Sequence, residues 1–156
     1  MIGVVIATHG RLAEETLACA EGIVGALPRA RAVAVSSILP LDAAREAIAA
    51  AIREVEDGDG VLVLTDMLGG TPANLALGFL SDRVDVVTGV NLPMLLKLST
   101  CRPPGSRLAD VARLICAYGQ KNITLASDML RPREAGGAAP GGAAPGGAKP
   151  GGGGSA

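Results

Sequence analysis

The chain has 156 residues, a length that favours one domain. It carries no Trp, one Phe (Phe79), one Tyr (Tyr118) and one His (His9), and its formal net charge is −1. Multi-histidine metal centres and two-histidine catalytic schemes are thereby excluded, and neither stacking platforms nor a basic surface exists for nucleic acid or an anionic membrane.

Ile2–Ala7 is a continuous aliphatic run that reads as a strand buried on both faces, ending in Thr8-His9-Gly10. It lacks a basic leader and a cleavage site, so it reads as neither a signal peptide nor a membrane span. Leu12, Ala13, Leu17, Ala20, Ile23, Val24 and Leu27 recur at helical spacing up to Pro28. Arg31–Ser37 is a second strand candidate. Leu41, Ala44, Ile48, Ile52 and Val55 share one helix face, and Asp57-Gly58-Asp59-Gly60 is a turn. Val61–Thr65 is a third strand. Asp66–Thr71 forms a loop into a helix, with Thr71 expected as N-cap and Pro72 at the first helical position. Val84–Val90 is a fourth strand, Asn91–Ser99 a helix and Arg102–Ser106 a loop. Leu108, Val111, Ala112 and Ile115 mark another helix, and Ile123–Ala126 a short final strand.

From Pro132 to Ala156 the composition changes to Gly, Ala and Pro with no Leu, Ile, Val or aromatic residue. Such a segment cannot offset its ordering entropy by apolar burial and reads as a flexible tail. The expected folded unit is residues 1–131. Three cysteines (Cys19, Cys101, Cys116) without CxxC spacing fit a reduced, cytoplasmic chain in which they act as small buried hydrophobes.

Apolar strands alternating with helices indicate an α/β domain, with a central and mainly parallel sheet covered by helices on both faces. In such sheets ligands bind beyond the carboxyl ends of the strands. Thr8-His9-Gly10, Asp66–Thr71 and Gly89-Val90-Asn91 end there, and they include the only histidine. A carboxylate that accepts one ring N–H fixes the tautomer and leaves the other nitrogen nucleophilic. Asp66 is the candidate carboxylate if the first and third strands are neighbours. Gly69-Gly70-Thr71 precedes a helix and offers backbone N–H groups and a hydroxyl to an anion such as a phosphoryl group. Neither GxGxxG nor GxxxxGK[ST] is present, so no nucleotide cofactor is indicated.

Three stretches carry a family resemblance: Ile2–Gly10 (IGVVIATHG), Val61–Asn74 (VLVLTDMLGGTPAN) and Gly89–Leu95 (GVNLPML). In this order and spacing they resemble the IIA domain of the mannose-family phosphoenolpyruvate-dependent sugar phosphotransferase system, over about residues 1–130. The resemblance implies a phosphorylated histidine at His9 and a hydrogen-bonded carboxylate at Asp66. It places Gly69, Gly70 and Thr71 beside the phosphoryl group, with Thr8 and Gly10 flanking the histidine. It implies HPr as donor, a IIB protein as acceptor, and a homodimer that exchanges a C-terminal strand, here about residues 122–127. No metal or nucleotide is implied, and no insertion into the membrane. Family members carry aromatic residues near the site where this chain has Arg11 and Met67-Leu68, so the partner surface is expected to be aliphatic. Some members continue through an Ala/Pro linker into a IIB domain. A free-standing regulatory protein and a piece of a longer chain both remain open.

Two alternatives stand beside this reading. One is the related phosphocarrier that feeds dihydroxyacetone kinase. The other is an interaction module that uses phosphorylation of His9 only as a signal. A histidine-phosphatase hydrolase is disfavoured, because position 8 is Thr rather than Arg and no second histidine exists.

Overall fold

The computed structural model describes residues 1–36, 38 and 40–130. The expected tail, residues 132–156, lies outside the described residues. Met1–Thr124 forms one compact unit. In chain order its elements are β1 (Gly3–His9), α1 (Leu12–Val24), β2 (Ala30–Val35), α2 (Leu41–Val55), β3 (Val61–Thr65), α3 (Thr71–Leu77), β4 (Val84–Thr88), α4 (Leu92–Leu98) and α5 (Leu108–Lys121). A short helix, α6 (Ala126–Leu130), belongs to the unit that begins at Leu125.

The four strands are parallel and ordered β2-β1-β3-β4. The α/β fold expected from the sequence is therefore present. β1 and β3 are neighbours, with Ala7 opposite Thr65, and β1 also pairs with β2, with His9 opposite Val35. The chain runs outward from β1 to β2, then returns to β3 and continues outward the other way. This reversal opens a crevice at the carboxyl ends of β1 and β3, where open α/β sheets place their ligands.

Alternation along the strands sends side chains to two separate cores. Ile2, Val4, Ile6, Leu62 and Leu64 pack with residues of α1, α4 and α5, including Ala20, Leu95 and Ile115. Val5, Ala7, Val61 and Val63 pack on the other face against Ala44, Ile48 and Val55 of α2 and Ala76 of α3. β1 and β3 are buried on both faces, which is why each reads as an unbroken aliphatic run. Small residues set the closest approaches. A Cβ on Gly3 would lie 2.6 Å from the carbonyl oxygen of Val55, so α2 ends directly against the start of β1.

Several expectations need correction. α1 ends at Val24 rather than near Pro28, because Gly25 turns the chain with φ +81°. Thr71 is not the N-cap of α3; Gly70 is, and Thr71 and Pro72 are the first two helical residues. No final strand forms at Ile123–Ala126. The local N–H groups are committed to turns instead, with Ile123 N donating to Gln120 O and Asp128 N to Leu125 O, and a strand without an edge to pair with has no ladder. The exchange of that strand in a dimer is not shown. Cys19 is exposed rather than buried, while Cys101 and Cys116 are half-buried, and all three are free thiols.

The two kinds of glycine give opposite expectations for stability. Gly3→Ala should destabilise the chain by about 1–3 kcal/mol, because the Val55 backbone as well as its Cγ2 opposes the new methyl and backbone cannot swing aside. Gly22→Ala, in the exposed last turn of α1 with open space around its Cβ position, should stabilise it by about 0.5–1 kcal/mol. Urea unfolding midpoints of the two variants check this pair.

Candidate functional site

His9 is the last residue of β1, and its side chain is 48% exposed. Asp66 directly follows β3, and its side chain is only 14% exposed. Parallel pairing of the two strands brings these ends together. Asp66 Oδ2 accepts twice from the same residue: from the backbone N–H of His9 at 2.9 Å and from the ring at Nδ1, 2.7 Å away. Asp66 Oδ1 accepts the N–H of Met67 at 2.9 Å. Burial pushes the Asp66 carboxyl up, but the bonds from the His9 backbone, the His9 ring and Met67 N outweigh it and hold the acid below its ordinary value. An ionised carboxylate offers only lone pairs, so Nδ1 is the nitrogen that carries the proton in the neutral ring. Nε2 is left with its lone pair directed away from Asp66.

The loop after β3 is shaped around this ring. Gly69 has φ +84°, a left-handed conformation that favours glycine. Gly70 has ordinary dihedrals, and its glycine answers a different need. A Cβ there would stand 2.6 Å from His9 Cε1 and 3.4 Å from Nε2. That contact explains why Thr71 is displaced from the N-cap: only a residue without a side chain fits between the helix start and the imidazole. The N–H groups of Thr71 and Ala73 open α3 and have no partner within the helix, whereas Asn74 N bonds to Gly70 O. Asn74 Nδ2 donates to Gly69 O at 3.2 Å and closes the loop from below. Sequence reasoning assigned Asn74 no role; an amide three residues after a Gly-Thr helix start was its only signal.

The remaining expected residues have distinct positions. Thr8 is fully buried, and its Oγ1 accepts the N–H of Ala13 at 2.7 Å, so it caps α1 from inside β1. Its hydroxyl is therefore engaged with α1. Gly10, φ +55°, turns the chain from β1 into α1, and its N–H bonds to Val35 O at 3.1 Å. Asn91, at the end of the β4 side, caps α4 by accepting Met94 N and ties it to α5 through Gly119 O. Among the described residues, no group of three or more His, Cys, Asp and Glu side chains converges as metal ligands would. No described helix is long and apolar enough to cross a membrane.

A family profile described as the PTS system fructose IIA component matches residues 3–115. The chain belongs to this IIA family of the sugar phosphotransferase system. The match takes in His9, Asp66 and the loop between Asp66 and Thr71. Among similar proteins, the fructose-specific EIIA component of Bacillus subtilis strain 168 is 34% identical over 82 residues, covering 51% of this chain and 56% of that protein. The mannose-specific EIIAB component of Escherichia coli K12 is 30% identical over 144 residues, covering 89% of this chain and 43% of that protein. The chain thus spans about half the length of these two curated relatives. Among solved structures, the mannose/sorbose specific IIA subunit from Enterococcus faecalis superposes with a TM-score of 0.71 at 32% identity, over 80% of this chain and 93% of that one.

The depressed acidity of Asp66 has a pH signature. Its folded pKa lies below its unfolded one, so the stability it contributes is fully present above the unfolded value, about 3.9, and is lost as pH falls through the folded value. The stability difference between the wild-type chain and Asp66→Ala should therefore shrink as pH falls below about 4. Denaturant titrations from about pH 5 downward measure it, and a difference that grows as pH falls below about 4 contradicts the assignment.

Proposed function

We propose that this chain is a phosphocarrier that takes a phosphoryl group from phospho-HPr onto His9 and passes it to a IIB protein. The observation that carries the reading is the doubled contact of Asp66 Oδ2 with His9, which fixes the ring and keeps Nε2 as the unprotonated nitrogen. In the accepting step the Nε2 lone pair forms the new N–P bond. The bond between phosphorus and the donor breaks, and its electron pair stays with the donor. Positive charge then develops on the imidazole, and the Asp66 carboxylate facing Nδ1–H stabilises it. The passing step reverses these roles, with the acceptor nucleophile forming the bond and the imidazole leaving with its electron pair. Positioning and charge stabilisation carry such transfers. The approach of Gly70 to His9 Cε1 and Nε2 supports assigning the Gly69-Gly70-Thr71 loop to the phosphoryl oxygens. No metal or nucleotide enters the scheme.

The surroundings of His9 support a protein as donor and acceptor. Leu12, Met67 and Leu68 are 49%, 56% and 70% exposed, and all flank the carboxyl ends of β1 and β3. Exposed apolar side chains grouped at one site mark a docking surface. That surface is aliphatic. We place the protein in the cytoplasm, where these partners act, and infer a homodimer. Exposed Ile123, Leu125, Met129 and Leu130 make the C-terminal segment the candidate contact. We assign residues 132–156 to a tail or linker outside the carrier domain.

The test is incubation of the chain with phosphoenolpyruvate, Enzyme I and HPr. An acid-labile, base-stable phosphate should form on the wild-type chain and not on His9→Ala; labelling of His9→Ala at the wild-type rate overturns the reading. Asp66→Asn presents an amide to Nδ1 and should slow labelling at least ~100-fold while leaving the chain folded. Gly70→Ala should slow it at least ~10-fold, because the new methyl displaces the ring from its near-attack position. Rapid discharge to a IIB protein identifies the carrier, discharge to dihydroxyacetone kinase the related phosphocarrier, and retention of phosphate a signalling role.

A further inference from the structure

Arg102 lies at the other edge of the sheet, in the loop after α4. It is 3% exposed, the only buried charged side chain among the described residues. Its Nε donates to Leu98 O at 3.1 Å, Nη1 to Ile2 O at 2.6 Å and Nη2 to Pro28 O at 2.6 Å. These carbonyls belong to the end of α4, the start of β1 and the approach to β2. A guanidinium has five N–H donors, so two remain after these three bonds.

The charge is also left over. Carbonyl oxygens offer partial charge, and among the described residues no carboxylate pairs with Arg102. Asp59, bound to the N-terminal residue that walls the same notch, is committed to the Met1 ammonium at 2.6 Å and to Gly105 N at 2.9 Å. Burial pushes the Arg102 pKa down, yet a guanidinium stays charged in proteins. A full charge withdrawn from water without a counter-ion is costly.

Arg102 lines a notch of about 170 Å³, open to solvent and walled also by Met1, Pro28, Leu98, Ser99, Thr100 and Pro103. That volume is several times the ~30 Å³ of a water molecule, enough for a small tetrahedral or planar oxyanion with part of its hydration. We propose that this notch binds a small free oxyanion, phosphate or carboxylate, whose oxygens take the two uncommitted N–H groups of Arg102. Planar bidentate recognition of this kind is what guanidinium does best. The site lies at the amino ends of the strands and His9 at the carboxyl ends, so an anion here does not compete for Nε2. The proposal stands without reference to phosphoryl transfer.

The experiment titrates the full-length chain, and its His9→Ala variant, with sodium phosphate, acetate or chloride at constant ionic strength. Phosphate or acetate should shift the Arg102 Nε–H resonance saturably in both proteins. At tenfold excess over the dissociation constant it should raise the thermal midpoint by roughly 3–6 °C, and chloride should not. Saturation by phosphate alone identifies a phosphate ligand, and saturation by acetate a carboxylate. In Arg102→Lys the ammonium has only three N–H groups for the three carbonyls, so the oxyanion-dependent rise in thermal midpoint should vanish. An Arg102 resonance indifferent to both oxyanions overturns the proposal, as does a midpoint that follows all three salts alike. The resonance titration decides the matter in the wild-type chain even if Arg102→Lys folds poorly.

Discussion

One carboxylate oxygen organises the site. Asp66 Oδ2 receives both the main-chain N–H and the ring N–H of His9, and each bond depends on the other. The main-chain bond fixes where the oxygen stands relative to the end of β1. The ring bond then fixes the imidazole about χ1 and χ2. Neither is available unless β1 and β3 are adjacent, parallel and in the observed register, with Ala7 opposite Thr65. The strand order is therefore a precondition of the chemistry. A sheet ordered 1-2-3-4 would hold β2 between the two residues. The Gly69-Gly70 loop is a second consequence: once the ring is pinned, the helix start beside it must do without a Cβ.

Much of this was legible in the sequence because burial on both faces leaves an unmistakable pattern. IGVVIATH and VLVLT have no polar interruption, and a lone histidine at the end of one of them attracts notice at once. Adjacency of the two strands was not legible, since periodicity identifies strands and not their order. The N-cap of α3 was misread because Thr has the stronger intrinsic preference there. Contact with a ring distant in sequence overrode that preference. Thr8 was grouped with the site by position alone. Alternation along β1 turns it to the face opposite His9, where it caps α1. The missing final strand has the same origin as the unread strand order: pairing is a property of an edge, not of Ile123–Ala126 itself. Arg102 left no trace in the pattern, because a lone arginine in a Pro-rich loop reads as solvated surface.

The shortage of aromatic residues also has a structural expression. Phe79 and Tyr118 are each covered by a cation, Arg45 at 5.5 Å and Lys97 at 5.7 Å from the ring centroids. Such placements favour the ring face when it is not wholly enclosed by apolar neighbours. Apart from Met94, the two cores are consequently built from Ala, Val, Leu and Ile, whose few rotamers pack tightly at close inter-element distances. Gly3 against Val55 O shows how close those distances are.

β1 is gripped at both ends by side chains from elsewhere in the chain. Arg102 holds the carbonyl of Ile2 at its entry, and Asp66 holds the N–H of His9 at its exit. Between these points the strand is hydrogen-bonded on both sides, to β2 and to β3. A residue at the end of such an element inherits its rigidity, which a residue on a free loop does not. The proposed transfer needs Nε2 aligned with phosphorus to within a few tenths of an ångström, and the partner surface needs tolerance for two different proteins. The chain separates those demands. The nucleophile sits on the most constrained strand, while Met67 and Leu68 sit on the exposed loop beside it. Asp66 joins the two, with one oxygen on His9 and the other on the N–H of Met67.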